Sequence, residues 1–190
     1  MVVTFNKRPT LQMSWTVVKE DGMERALVPM TAKSSLQKKN SPCVNPAQRP
    51  SNSIAVGDKL RLELRSDMDG YLTLFDFGTS GRFAKLFPCK ELSTTDNHIE
   101  AGKTYAAPGE LLPIPDFLVS GPTTAESGRK ERLLVIVTRN PIELSESAVL
   151  NAGTDFATRG GFGAVEETVA SLLDIPEDDW TYGLLETEVL

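Results

Sequence analysis

The sequence has few of the side chains that metal sites and nucleophilic enzymes use. Its 190 residues include one histidine and two cysteines. Cys43 and Cys89 lie far apart and form no CxxC pair, so neither a zinc site nor a disulfide framework is indicated. A Cys–His nucleophile would depend on His98 alone, within the polar segment STTDNHIEAG. We therefore expect no catalytic residue, no metal and no cofactor.

Long hydrophobic runs are also missing. The longest apolar run, residues 133–137, has five residues, whereas a helix needs about 20 to cross a bilayer. The first residues, MVVTFNKRPTLQM, lack the apolar stretch and the cleavage site of a signal peptide. These absences predict a soluble, cytoplasmic protein without a membrane partner.

Motifs for other chemistry are incomplete. In GTSG, residues 78–81, the serine comes one place too late for a GxSxG nucleophile elbow. Asp67 and Asp69 resemble the start of a calcium loop, but Gly78 stands where its final glutamate belongs. In ATRGGFGAVEE, Glu166 replaces the third glycine of GxGxxG. Turns and a flexible helix entry explain these segments better, so we predict that the protein is not an enzyme.

Charge is unevenly placed along the chain. The formal net charge is −6, and residues 160–190 hold eight of the 26 acids and no base. An acidic domain disfavours nucleic acid, which binds to clustered basic surfaces. The acidic end is typical either of a docking surface for a basic partner or of a solvated face.

Strand patterns dominate the middle of the chain. In KLRLELR, residues 59–65, every second residue is leucine, which places the leucines on one face of a strand. In YLTLFDF, residues 71–77, both faces are apolar, which predicts a buried strand followed by a turn at GTSG. The apolar run in ERLLVIVTR, residues 131–139, belongs in the middle of a sheet.

The segment from Gly70 to Pro88 concentrates aromatic side chains. Base stacking would require exposed rings interleaved with basic residues, and only Arg82 and Lys85 lie in this segment. We therefore predict that the rings fill the core. They are Tyr71, Phe75, Phe77, Phe83 and Phe87.

In the C-terminal part of the chain, the spacing of apolar residues changes from that of strands to that of a helix. Apolar residues recur at helical spacing between Gly161 and Asp174, and Pro176 ends that pattern. A shorter helix is predicted over residues 142–150, and WTYGLLETEVL predicts a final strand. The predicted fold is mainly β, an antiparallel β-sandwich or small barrel with a C-terminal helical insertion and a final strand.

Four regions follow from these patterns. Residues 1–33 predict an N-terminal β-hairpin region, with its turn at Asp21-Gly22. Residues 34–53 predict a flexible loop or linker, because they are rich in serine, asparagine and proline. Residues 54–140 predict the β-sandwich core, and residues 141–190 predict a helical segment and a terminal strand packed on that core.

The order of motifs resembles the bacterial family called domain of unknown function 4384. The similar motifs are Gly57-Asp58 before an alternating strand, SDMDGY at residues 66–71, LFP at residues 86–88, and later IEAG, Gly121-Pro122 and ERLLVIV. The resemblance covers roughly residues 54–140. It implies a β-rich module that, in the family, often lies beside or is fused to caspase-like proteases and serine/threonine kinases. It implies no catalytic residues.

Two functions are compatible with these observations. The first is a non-enzymatic protein–protein interaction module in a bacterial signalling or defence pathway, an accessory or substrate of a caspase-like protease or kinase. The alternative is a small-ligand or glycan-binding β-domain, with a pocket between residues 96–102 and 108–115. For the first, the candidate interaction residues are Lys38, Lys39, Arg49, Glu177, Asp178, Asp179 and Trp180.

Overall fold

The chain forms eleven strands within the residues that the structure describes. This computed structural model describes residues 9–18, 24–27, 53–77, 79, 83–89, 96–119, 130–144 and 174–189. The strands are β1 (Leu11–Val18), β2 (Glu24–Leu27), β3 (Ser53–Ile54), β4 (Lys59–Ser66), β5 (Gly70–Phe77), β6 (Phe83–Phe87), β7 (His98–Ile99), β8 (Thr104–Ala107), β9 (Phe117–Leu118), β10 (Lys130–Thr138) and β11 (Trp180–Val189).

The first sheet has the order β2-β1-β4-β8, and β9 also pairs with the start of β4. β1 and β2 are antiparallel neighbours, and β1 pairs with β4 along its whole length, from Leu11 opposite Ser66 to Val18 opposite Lys59. Buried and exposed residues alternate along β4, as its leucine pattern predicts. The N-terminal strands therefore belong to the same sheet as β4.

The second sheet has the order β3-β11-β10-β5-β6, and β7 pairs with the start of β5. β10 lies in its centre between β5 and β11, which confirms the interpretation of its continuous apolar run. A register shift interrupts the β5–β6 pairing between Leu74 and Phe75. β3 is parallel to the end of β11, so the prediction of purely antiparallel pairing is wrong at this point.

The main core lies between the two sheets. Leucines of β4, together with Met13, Trp15 and Val17 of β1, share one buried cluster with Leu72 and Leu74 of β5 and with side chains of β10 and β11. The sheets approach closely at Gly183 of β11, where an added Cβ would meet the end of the Met13 side chain. The two sheets therefore form two layers around a common interior.

The outer face of the second sheet is covered as well. Phe75, Leu134, Ile136, Leu184 and Trp180 form a second buried cluster with Leu144, and the cluster is also packed against Ile142, Ile175 and Tyr182. Because both faces of β5 and β10 are buried, their sequences are apolar on both sides rather than alternating.

The described aromatic rings of the Gly70–Pro88 segment are mostly buried, as predicted. Phe75 is 0% exposed and Phe87 is 3% exposed, and they belong to the second and the first cluster, respectively. Tyr71 is half-buried and packs edge-on against His98, with 5.3 Å between the ring centroids. The side chains of Phe77 and Phe83 lie outside the described part of the structure.

The structure confirms a mainly β protein and corrects two details of the prediction. Neither sheet closes on itself in the described ranges, so the small-barrel alternative is wrong. The predicted insertion is not supported, because helical structure in the described part of residues 141–190 is limited to a 3-10 turn at Glu177–Asp179. The predicted helix over 161–174 lies outside the described residues except for Asp174. Of the shorter one, residues 142–144 are not helical and the rest lie outside.

Within the residues that can be described, none belongs to a helix with the length and apolar character needed to cross a bilayer.

Candidate functional site

The two aspartates of SDMDG connect the β4–β5 turn to other parts of the fold. The Asp67 carboxylate accepts hydrogen bonds from the Thr10 amide and the Thr10 hydroxyl, each at 2.6 Å. Asp69 Oδ1 accepts the Ala101 amide at 2.7 Å. These contacts fix the turn to the segment before β1 and to the turn before β8. They support the interpretation of the aspartates as turn residues.

The loops of the proposed ligand pocket use their polar groups on the chain itself. The side-chain amide of Asn97 donates to the Leu72 carbonyl at 2.9 Å, and the backbone amide of Leu72 donates to the backbone carbonyl of Asn97 at 2.8 Å. The Glu100 amide donates to the Tyr105 hydroxyl at 2.8 Å. Leu111 and Leu112 are buried. These observations assign structural roles to the loops, and ligand binding between them stays a prediction.

The acidic turn before β11 is attached to the end of β10. Arg139 Nε donates to Asp179 Oδ1 at 2.7 Å, and the Arg139 amide donates to the Asp179 carbonyl at 2.8 Å. Asp178 is half-buried, and Glu177 is exposed. Of the predicted acidic residues, Glu177 is therefore the most accessible to a partner.

Trp180 has a different position from the one expected of an interaction residue. Its side chain is 1% exposed, lies in the second buried cluster, and stacks on Tyr182 with ring centroids 5.8 Å apart. We therefore assign Trp180 to the core and remove it from the proposed surface. Lys38, Lys39 and Arg49 lie outside the described residues and stay predictions.

Among the residues that the structure describes, β11 has an open edge on one side of the second sheet. β10 pairs with β11 along its length on one side, whereas β3 on the other side pairs only with Glu188 and Val189. At residues 183–186, no further strand lies on that side in the described part of the chain. Such an edge presents main-chain donors and acceptors to an added strand.

The charges on the outer face beside this edge are partly compensated. Glu186 accepts hydrogen bonds from Lys130 Nζ at 2.5 Å and from Arg132 Nε at 2.7 Å. Burial raises the pKa of Glu186, but the hydrogen bonds and positive charges of Lys130 and Arg132 outweigh it and lower the pKa overall. Glu188 is exposed at the end of the strand.

A pair of carboxyl groups lies on the inner side of the second sheet. Asp76 of β5 and Glu131 of β10 are hydrogen-bonded to each other, and Glu131 Oε2 also accepts the Thr79 amide at 3.2 Å. Burial, the Glu131 charge and the shared hydrogen bond raise the pKa of Asp76 to about 8. Burial also raises the pKa of Glu131, against the lowering effect of the Thr79 and Asp76 hydrogen bonds.

Our sequence reasoning missed this pair, although a signal was present. Asp76 has the same strand phase as Leu72 and Leu74, and Glu131 has the same phase as Leu133. An acidic residue on the core-facing side of a central strand therefore indicates an unusual environment. The residue that faces it cannot be read from the pattern, because the register between β5 and β10 is a tertiary property.

Two open β-sheets with a shared core define the chain as a mainly β protein. Residues 53–141 match the family described as Domain of unknown function (DUF4384). This match confirms the resemblance inferred over residues 54–140. No curated protein and no solved structure matches the chain.

Proposed function

We propose that the chain is a non-enzymatic protein–protein interaction module that binds an extended, basic segment of a partner along the open edge of β11. We place it in a bacterial signalling or defence pathway, as an accessory or substrate of a caspase-like protease or kinase. The family resemblance supports this context.

The edge at residues 183–186 is the observation that carries the proposal. An extended peptide can add to a sheet edge through main-chain hydrogen bonds, and its alternating side chains then provide specificity. β3 already occupies the end of this edge in a parallel arrangement at Glu188 and Val189. The backbone geometry of β11 is therefore compatible with a strand on that side.

The charges around the edge favour a basic occupant over a second copy of the chain. Glu177 and Glu188 are exposed beyond the two ends of the edge. If two β11 strands paired antiparallel about Gly183, Asp178 of one copy would lie opposite Glu188 of the other. Like charges opposite each other destabilise a strand pair, whereas lysine or arginine on a partner would be attracted.

The location of β11 supports a partner specific to this protein. The family match ends at residue 141, and β11 begins at Trp180. The strand that forms the candidate surface therefore lies outside the part that resembles the family. The matched part contributes most of the framework on which β11 packs, including its neighbour β10.

A designed peptide tests the proposal directly. The probe is a fluorescent ten-residue peptide with an alternating Thr/Val centre and a Lys-Arg pair at each end. We expect binding on the order of 10–100 µM by fluorescence anisotropy, with amide chemical-shift changes at residues 183–186. The double variant Glu177→Lys, Glu188→Lys should weaken binding about tenfold at low salt, because attractive charges become repulsive.

Matched controls separate edge binding from general charge attraction. The double variant Glu100→Lys, Glu110→Lys makes the same charge change at exposed positions away from β11 and should bind the peptide as the wild type does. A peptide N-methylated at alternate residues should bind poorly, because it cannot donate along one edge. Equal binding by the methylated peptide, or equal loss in both double variants, would overturn strand addition at β11.

A further inference from the structure

The contact between Asp76 and Glu131 requires a proton. Asp76 lies opposite Leu133 in the β5–β10 register, so Glu131 is the next residue along β10 whose side chain is on the same face. Two carboxyl groups form a hydrogen bond only if one oxygen is protonated, because an ionised carboxylate has no hydrogen to donate. Two ionised carboxylates close enough to share a hydrogen bond would also repel each other.

The remaining contact of Glu131 indicates where the proton resides. Glu131 Oε2 accepts the Thr79 amide at 3.2 Å, and such a donor stabilises the ionised form of a carboxyl group. Burial, the negative charge of Glu131 and the shared hydrogen bond instead stabilise the protonated form of Asp76. The proton is therefore assigned to Asp76, which donates to the Glu131 carboxylate.

We propose that Asp76 and Glu131 form a proton-dependent latch, in which the protonated Asp76 and the amide of Thr79 are both held by Glu131. Thr79 lies in the connection between β5 and β6 and is 1% exposed. Loss of the Asp76 proton places two like charges side by side. The separation of the carboxylates then weakens the attachment of Thr79 to β10.

In the described strands, the basic residues next to the pair alternate with it and so point to the opposite face of the sheet: Lys85 of β6 lies opposite Phe75, and Lys130 and Arg132 flank Glu131. Ala84 of β6 lies opposite Asp76, and Thr187 of β11 lies opposite Glu131. Lys130 and Arg132 alternate with Glu131 and bind Glu186. Facing residues of β1 and β4 in the core are apolar, and the one titratable core side chain of β8, Tyr105, binds the Glu100 amide.

The direction of the pH effect follows from the environment of Asp76. The folded state raises its pKa from 3.8 to about 8, so the folded protein binds the proton more tightly than the unfolded chain does. The stabilisation of the folded state by protonated Asp76 is complete below pH 3.8 and is lost as the pH rises through about 8. The latch is therefore closed in acid and opens in mild alkali.

Carboxyl carbon NMR of the full chain between pH 5 and 10 tests the inference. We expect the Asp76 signal to titrate with a midpoint near pH 8 and the Glu131 signal to respond to that ionisation. Between pH 6 and 7, hydrogen exchange at the Thr79 amide should accelerate about tenfold more than hydroxide catalysis explains, because the ionised fraction of Asp76 rises about tenfold for each pH unit below its pKa of about 8.

Two variants complete the experiment. Asp76→Asn keeps a donor to Glu131 but cannot lose a proton in this range, so the extra acceleration at Thr79 should vanish. Glu100→Gln, at an exposed position, should behave as the wild type does. If both wild-type carboxyl signals titrate below pH 6, or if Asp76→Asn retains the extra acceleration, the latch is refuted. The wild-type titration decides the question even if Asp76→Asn does not fold.

Discussion

Replacing Gly70 with alanine is expected to destabilise the protein strongly, because the first residue of β5 packs directly on the backbone of β10. An added Cβ would lie too close to the Thr138 carbonyl oxygen, 3.1 Å from its carbon and 3.2 Å from Val137 Cγ1. The principal obstacle is backbone in the centre of a sheet, so it cannot rotate away as a side chain can. β5 must instead move from β10 at the Tyr71–Thr138 pair.

The magnitude follows from three contributions. Overpacking of this kind costs about 1–3 kcal/mol. Weakening one or two ladder hydrogen bonds adds about 1 kcal/mol for each. The lower entropy of alanine in the unfolded chain offsets about 0.4–1 kcal/mol. We therefore expect the free energy of unfolding to fall by about 1–4.6 kcal/mol, with a central value of about 3 kcal/mol, against the roughly 5–15 kcal/mol of a typical domain.

Two other glycines provide controls with different physical causes. Gly57 has φ of +89° and nothing within 4 Å of an added Cβ, so Gly57→Ala should cost only about 1 kcal/mol of backbone strain. Asparagine tolerates positive φ and should reduce that loss at Gly57, but not at Gly70. At Gly183, the added Cβ meets Met13 Sδ at 2.9 Å near the end of a flexible side chain, so Gly183→Ala should cost less than Gly70→Ala.

Urea unfolding measures all three effects. Trp15 and Trp180 are buried, and their fluorescence should change on unfolding. We expect the midpoint to fall most for Gly70→Ala without a change in slope. Equal losses for Gly70→Ala and Gly57→Ala would refute the steric argument, and so would a loss below about 0.5 kcal/mol at Gly70.

Two further predictions concern polar contacts. Asp67→Ala removes both acceptors of Thr10 and should lower the free energy of unfolding by about 1–2 kcal/mol in urea titrations, with a smaller loss for Asp67→Asn. An equal loss in the two variants would contradict a role for the side-chain acceptors. Because its folded pKa is lowered, Glu186 should stabilise the fold above its unfolded pKa of 4.5, and this effect should disappear as the pH falls through the folded pKa. Between pH 5 and 3, the wild type should therefore lose more stability than Glu186→Gln in thermal unfolding, and equal losses would refute the contribution of Lys130 and Arg132.

Much of the strand content could be predicted because it follows from local patterns. The leucine alternation of β4 and the continuous apolar run of β10 each report how many faces of a strand are buried. The turn at SDMDG was also recognisable, since aspartate and glycine have intrinsic turn preferences. The burial of Phe75 followed from the apolar character of both faces of β5, and that of Phe87 followed from the scarcity of basic residues among the aromatic rings of residues 70–88.

The candidate surface was less predictable. Composition identified an acidic C-terminal end, and we predicted the adjacent Trp180 as an interaction residue together with residues 177–179. The structure buries Trp180, because β11 directs that side chain into the outer cluster of the second sheet. The open edge was not visible in the sequence either, since the length of β3 along β11 depends on contacts between distant parts of the chain.

The sequence alone determined that the protein is built from strands, and it determined which strands are buried on one face or on both, because side-chain alternation is a local property of the backbone. Tertiary structure decided the order of the strands, the edge left open at β11 and the meeting of Asp76 with Glu131. Strand pairing joins residues far apart in the chain, and a shift of one residue in register would turn either carboxyl group to the opposite face.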